Sequence, residues 1–364
     1  MKVTPSDSSI SSFPQRLLIV RLGSMGDIIH TLPAAFALRA ALPGATIGWV
    51  IEERWAELLC AASEPRSGPR SPRRPLVDKL HVVDTRAWRK SWFSTHTWER
   101  IAAALSDLRA PRYEVAVDFQ GAARSAFLAR CSGAPVTCGF RQPRENIASM
   151  LYTRQVIAQG SHIVEQNLSL AESVVGQAPG VQHLKFPCDE AADKRCSAWL
   201  QREAMGDFIL INPGAGWGAK QWPAEKYGEA AKCLAQGGLK VLVNSGPGEE
   251  KLAQAVEAAS AGSARVVSWP IPELVALTRR ARLFIGGDTG PMHLAAALGV
   301  PVVAIFGPTN PARNGPFGTA SIVLRSPSSA TSHSHRGVTD PGLLEIEVDD
   351  VVAAAGKLLE QGRG

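Results

Sequence analysis

Short apolar runs, each leading into a glycine-bearing turn and then into apolar positions at helical spacing, recur along the whole chain. Leu17 to Val20 is the first, and its unbroken apolar character predicts a strand buried on both faces of a parallel sheet. Gly23 and Gly26 mark the turn after it, and Ile28, Ile29, Leu32, Ala35, Phe36 and Leu38 follow at helical spacing. Strands are predicted next at Thr46–Ile51, Lys79–Asp84 and Tyr113–Phe119, with helices over 98–109 and from His162 to Val175. After Gly176–Pro187, which reads as a linker, a helix over 190–204 opens a second round, with strands at Phe208–Asn212, Leu239–Asn244, Val266–Ser268, Leu283–Gly286 and Val302–Phe306. Two successive alternations of strand and helix predict an α/β protein of two doubly wound, Rossmann-like domains facing across a cleft. The expected division is a disordered N-terminus over 1–15, a first domain over 16–180, a second over 190–345 and a last helix over 349–361.

With 364 residues the chain can bury two cores, and 45% hydrophobic with 20% charged residues is the composition of a globular protein. No apolar run approaches the roughly 20 residues that span a bilayer, and the serine-rich start lacks the core of a signal peptide. Cytoplasmic placement is therefore expected. The six cysteines are scattered, with no Cys-x-x-Cys pair, which fits free thiols in a reducing compartment and argues against a zinc site. The net charge of +6 is uneven: residues 1–180 hold 21 Lys and Arg against 15 Asp and Glu, and the rest hold 18 of each. The first half is therefore expected to meet something anionic; no RNA-binding or zinc-finger signature favours nucleic acid.

The turns carry the candidate chemistry. Asp27 falls at the start of the first helix, at the carboxyl end of the first strand, where open parallel sheets bind ligands. It suits either a capping carboxylate or a general base. In the second half, Asn212–Gly218, Ser245–Gly248 and Gly286–His293 are turns that expose backbone N–H groups. With Pro291 as the first helical residue, the helix start at 289–293 would suit a diphosphate, with Thr289 adding a hydroxyl and Lys220 a mobile charge. Recurring arginines on first-half loops suit carboxylates and phosphates. Residues 63–75, rich in Pro and Arg, are expected to form a mobile basic loop, and His333 and His335 a solvated one.

Arg21-Leu-Gly-Ser-Met-Gly-Asp-Ile-Ile-His-Thr-Leu-Pro33, Lys220-Gln-Trp-Pro223 and Gly287-Asp-Thr-Gly-Pro-Met-His293 through Phe306-Gly-Pro-Thr309 together resemble the ADP-heptose:lipopolysaccharide heptosyltransferase family, glycosyltransferase family 9. Trp88–Ser94, Asp118-Phe-Gln-Gly121 with Arg124, and Arg144–Tyr152 are similar to the branch that adds the first heptose to the Kdo region of the inner core. The resemblance implies a GT-B fold whose last helix crosses back to the N-terminal domain. It implies inverting transfer of heptose from ADP-heptose to Kdo-lipid A, at the cytoplasmic face of the inner membrane. Asp27 would be the base and Lys220 the catalytic cation. Gly214, Gly216, Asp288, Thr289, Gly290 and His293 would bind the donor. Ser24, Met25, Gly26, Arg89, Lys90, Gln120, Arg124, Arg141, Arg144 and His162 would bind the acceptor. No cofactor, obligatory metal or protein partner is expected.

Three alternatives stay open at this point. The enzyme could transfer another sugar or a later heptose. The strand, glycine turn, helix and acidic strand end at Glu52–Glu53 also outline a nicotinamide-dependent oxidoreductase, although the turn lacks a third spaced glycine. A non-catalytic nucleotide or lipid-phosphate binding protein would have no need of Asp27.

Overall fold

In a computed structural model of the protein, residues 13–91, 93–177, 184–331 and 339–361 are described. They divide into two compact units, one of residues 1–160 and 164–188, the other of 161–163 and 189–364. The break thus falls at Cys188 and Asp189, just past the predicted linker.

The first unit is built on six parallel strands: β1 (Arg16–Val20), β2 (Thr46–Glu52), β3 (Lys79–Val83), β4 (Val115–Asp118), β5 (Val136–Phe140) and β6 (Arg154–Val156). Its helices are α1 (Met25–Ala41), α2 (Thr85–Lys90), α3 (Thr95–Arg109), α4 (Ala123–Cys131), α5 (Asn146–Ser149) and α6 (Ile163–Val175). The strand order is β3-β2-β1-β4-β5-β6. Leu18, Val20, Val50 and Ala116 from the sheet pack with Leu108 and Leu128 from the helices.

The second unit repeats the plan with β7 (Phe208–Asn212), β8 (Lys240–Asn244), β9 (Ala264–Val267), β10 (Leu283–Gly287), β11 (Val302–Phe306) and β12 (Ser321–Arg325), in the order β12-β11-β10-β7-β8-β9. Its helices are α7 (Glu190–Arg202), α8 (Ala224–Gln236), α9 (Glu250–Ala259), α10 (Ile271–Thr278), α11 (Gly290–Ala297), α12 (Pro311–Asn314), α13 (Pro341–Leu344) and α14 (Val348–Gln361). In each sheet the chain starts in the middle, works to one edge, and returns to the other side of the first strand. The switch points lie between β1 and β4 and between β7 and β10, and such points are where doubly wound sheets open a crevice for ligands.

Several expectations need correction. The last helix, expected to cross back to the N-terminal domain, buries Val351, Ala354, Ala355 and Leu358 in the second unit's own core, beside Ile209, Trp222 and Val303. The 63–75 segment is folded rather than a free loop. Ser67 bridges Lys79 in antiparallel fashion, Leu80 donates its N–H to the Arg66 carbonyl at 2.7 Å, and Arg74 is 1% exposed, donating to the carbonyls of Gly68 and Pro69. The segment covers β3, whose open edge would otherwise invite pairing with another chain. At the N-terminus Gln15 is already tied in, its N–H bonded to Glu114 and its carbonyl to Thr46; residues 1–12 lie outside the described residues, as do His333 and His335. Among the described residues no helix is long and apolar enough to cross a membrane.

Candidate active site

At the first switch point, β1 runs through Arg21 and Leu22 into the N-cap Ser24 of α1. Asp27 occupies the third position of that helix, where its side chain reaches back: Oδ2 accepts from the Ser24 amide at 2.9 Å and the Ser24 hydroxyl at 3.1 Å. This is half of a capping box. Its other oxygen, Oδ1, lies 2.6 Å from an Arg21 guanidinium nitrogen. Burial pushes the Asp27 carboxyl up, but Arg21, the two Ser24 donors and the field of Arg144 outweigh it and hold the group below its usual value. The carboxylate is thus ionised at neutral pH, and with 36% of its side chain exposed it can still meet a ligand. Capping and base chemistry are compatible in this geometry.

The residues around it divide. Ser24 is exposed, whereas Met25 and Gly26 are buried in the first helical turn. Gln120, at the end of β4, is buried, and its Oε1 accepts from the Leu22 amide at 2.8 Å, so it joins the two strands that flank the switch point. Arg124 stands in the first turn of α4 and donates to the Thr85 hydroxyl at 3.2 Å, and Thr85 in turn donates to Glu52. Arg89 and Lys90 are exposed at the end of α2, and Arg141 and Arg144 are exposed on the loop after β5. His162 belongs to a different unit from these residues. It groups with the second unit, where its Nε2 lies 3.0 Å from the Gly315 carbonyl and its ring packs on Phe317.

Two cations absent from the predicted acceptor set belong beside Arg124. Arg54 stacks over Trp55, and burial together with the repulsion of Arg86 and Arg124 lowers its guanidinium from the ordinary value, against the pull of Glu52 and Asp84. Three like charges held this close suit a polyanionic ligand. The clue in the sequence was that each arginine follows a strand end: Arg54 after β2, Arg86 after β3, Arg124 after β4. Glu52, which a dinucleotide reading needs for a ribose, is 5% exposed and engaged by Thr85.

At the second switch point, Asp288 and Thr289 follow β10, and Thr289 is the N-cap of α11. Gly290, and not Pro291, is the first helical residue. Lys220 is no mobile charge: its ammonium lies 2.6 Å from Asp288 Oδ2 and sits over the Trp217 ring at 4.9 Å. His293 Nε2 is 3.1 Å from the other Asp288 oxygen. Burial would raise the Asp288 carboxyl, yet His293 and Lys220 hold it far below the usual carboxylate range. The start of α11, with free N–H groups and the positive dipole end, completes an anion-attracting corner.

The predicted glycines differ in role. A Cβ on Gly214 would come within 2.2 Å of the Glu249 carboxylate, whereas one on Gly216 would meet nothing within 4 Å. Glu249 went unpredicted. It accepts from the Gly246 amide at 3.1 Å, and burial, helped by Glu250, raises its carboxyl despite that bond. Asn244 donates to Asn212 at 2.7 Å, so the ends of β8 and β7 are joined behind it. Among the described residues no group of three or more His, Cys, Asp or Glu side chains is arranged to hold a metal ion.

Two Rossmann-like units, with an ionised carboxylate at one switch point and an anion-attracting corner at the other, have the architecture of the GT-B glycosyltransferases. Known proteins bear this out. The family model for glycosyltransferase family 9 (heptosyltransferase) matches residues 101–341. Lipopolysaccharide heptosyltransferase 1 of Pseudomonas aeruginosa is 31% identical over 324 residues, 85% of this chain and 84% of the relative. Its namesake in Escherichia coli K12 is 32% identical over 320 residues, 86% and 94% of the two chains. The structure of E. coli heptosyltransferase WaaC with ADP superposes with a TM-score of 0.72 at 27% identity, over 96% of this chain and all of that one. The chain belongs to glycosyltransferase family 9, the heptosyltransferases.

Proposed function

We propose that the protein transfers L-glycero-D-manno-heptose from ADP-heptose to a Kdo hydroxyl of the lipopolysaccharide inner core, with inversion. The observation that carries this reading is the Asp27 carboxylate, kept ionised by Arg21 and Ser24 yet open at one edge. Relatives named lipopolysaccharide heptosyltransferase 1, and the WaaC complex with ADP, support the donor and the acceptor class.

In the reaction the Kdo oxygen attacks the anomeric carbon of the heptose as the bond from that carbon to the diphosphate oxygen breaks. The Kdo proton passes to Asp27, and ADP leaves with the electron pair. Lys220, His293 and the α11 start would stabilise the charge growing on the departing diphosphate. Glu249, half-buried beside Gly214 and Gly246, is suited to accept hydrogen bonds from the nucleotide's ribose hydroxyls. Arg54, Arg86, Arg124 and Arg144 would bind the carboxylates and phosphates of Kdo-lipid A. We assign the charge stabilisation to these groups and not to a metal ion, and place the enzyme peripherally at the cytoplasmic face of the inner membrane.

The test is ADP release from ADP-heptose, with and without Kdo-lipid A, by the wild type and Asp27→Asn. Acceptor-dependent release by the wild type alone, with ADP-heptose bound by both, is the expected result. Donor binding without turnover overturns the acceptor, and absence of donor binding overturns the reading as a whole.

A further inference from the structure

Asp118 ends β4, is fully buried, and takes no part in the transfer just described. Four neutral donors converge on it. Oδ1 accepts from the amides of Gln120 at 2.8 Å and Gly121 at 3.3 Å, and Oδ2 from the hydroxyls of Ser125 at 2.8 Å and Tyr152 at 2.7 Å. Burial pushes its carboxyl up and these donors oppose the shift.

What matters is where the donors come from. Ser125 lies in the first turn of α4, next to Arg124. Tyr152 closes the segment that begins at Arg144, and Gly121 accepts through its carbonyl from the Glu145 amide at 2.9 Å. The Phe119–Gln120 turn, shaped from below by Asp118, supplies the carbonyl of Phe119 to the Arg21 guanidinium and Gln120 Oε1 to the Leu22 amide. Arg21 is the cation that pairs with Asp27. One carboxylate thus anchors the support of the base and two arginine-bearing segments, which a residue needed only to fill the core would not do.

We propose that Asp118 is the positioning residue of this site, holding Asp27, Arg124 and Arg144 in one frame through the Gln120 turn, Arg21, Ser125 and Tyr152. The proposal rests on the transferase reading for its rates but not for its geometry. The charged groups that face Asp27 are Arg21, from the end of β1, and Arg144, from the loop after β5. Loosening the turn withdraws Arg21, so the Asp27 carboxyl should titrate at higher pH.

The experiment compares the wild type with Asp118→Asn, and with Tyr152→Phe, which leaves the carboxylate in place. Carbon-13 NMR of the Asp27 carboxyl is followed against pH, alongside ADP affinity, thermal midpoint and acceptor-dependent ADP release. The expected result for both variants is an upward shift of the Asp27 titration and of the acid limb of kcat/KM. For Asp118→Asn, acceptor kcat/KM falls about tenfold or more, with ADP affinity within about twofold of wild type. An unmoved Asp27 titration overturns the proposal, as does a fall in ADP affinity that tracks the loss of rate. If Asp118→Asn does not fold, Tyr152→Phe decides by the same criteria. If the wild type binds ADP-heptose but releases no ADP, the acceptor assignment fails, while the NMR titration still tests the role of Asp118.

Discussion

The Arg21 guanidinium lies 2.6 Å from one oxygen of Asp27, and the Ser24 amide and hydroxyl take the other. The carboxylate is therefore fixed in direction as well as charge. A carboxylate held in this way, acting as the proposed base, does not have to find its orientation during the reaction.

Replacing Asp27 with Asn keeps an acceptor for the Ser24 amide but removes the proton acceptor and the partner of Arg21. Acceptor-dependent ADP release should fall by about 10²–10⁴-fold, with ADP affinity unchanged. Steady-state rates and calorimetric titration with ADP check both parts.

The pH dependence follows from the direction of the Asp27 shift. Its folded value is depressed, so the pair contributes stability above the unfolded value of about 3.9, and that contribution is lost as the pH falls through the folded value. In Arg21→Met, burial is left to dominate and the carboxyl should move up. The acid limb of kcat/KM then shifts to higher pH, and a profile identical to the wild type would refute the pairing.

Lys220→Met leaves Asp288 buried with His293 alone. Two losses are expected together: weaker ADP binding, and ADP release slowed by about 10²-fold or more. Calorimetry measures the first and single-turnover kinetics the second. Unchanged ADP affinity would show that Lys220 serves only to neutralise Asp288.

Charge reversal at Arg124 tests the proposed acceptor contact. Arg124→Glu places a carboxylate beside Thr85 and the Glu52 carboxylate it engages. The acceptor KM should rise about tenfold while the ADP-heptose KM holds. Equal rises for both substrates would refute the assignment.

Gly48, in the middle of β2, has no room for a methyl group, because a Cβ there would lie 1.9 Å from the Tyr113 hydroxyl. That hydroxyl is held 2.7 Å from His81 Nε2, and His81 Nδ1 is 2.6 Å from Asp107. Gly48→Ala should destabilise the first unit by about 1–3 kcal/mol. Thermal unfolding should show it, with ADP affinity unaffected.

The strands were readable because parallel strands buried on both faces are continuous apolar runs, as Phe208–Asn212 and Val302–Phe306 are. The helix starts were readable from Gly, Ser, Thr and Pro at the turns. Pairings between distant residues were not. Nothing local at Lys220 announces Asp288, 68 positions away, and nothing at Glu249 announces Gly214. Arg74 misled for a related reason. A Pro- and Arg-rich stretch reads as solvated, yet the carbonyls of Gly68 and Pro69 give its guanidinium a place inside. His162 was expected among the acceptor residues, but a partner of its ring, the Gly315 carbonyl, lies 153 positions on. The last helix displayed an apolar face, and amphipathicity states that a face is buried without saying against which core.

The place of that helix bears on how the protein is made. The first unit has all of its residues once synthesis has passed Cys188, and its sheet can close while the second unit is still being translated. The second unit cannot cover Ile209, Trp222 and Val303 until residues 348–361 have emerged. Throughout that interval the nascent second unit would present an apolar sheet face for chaperones to shield, while the first unit is already folded.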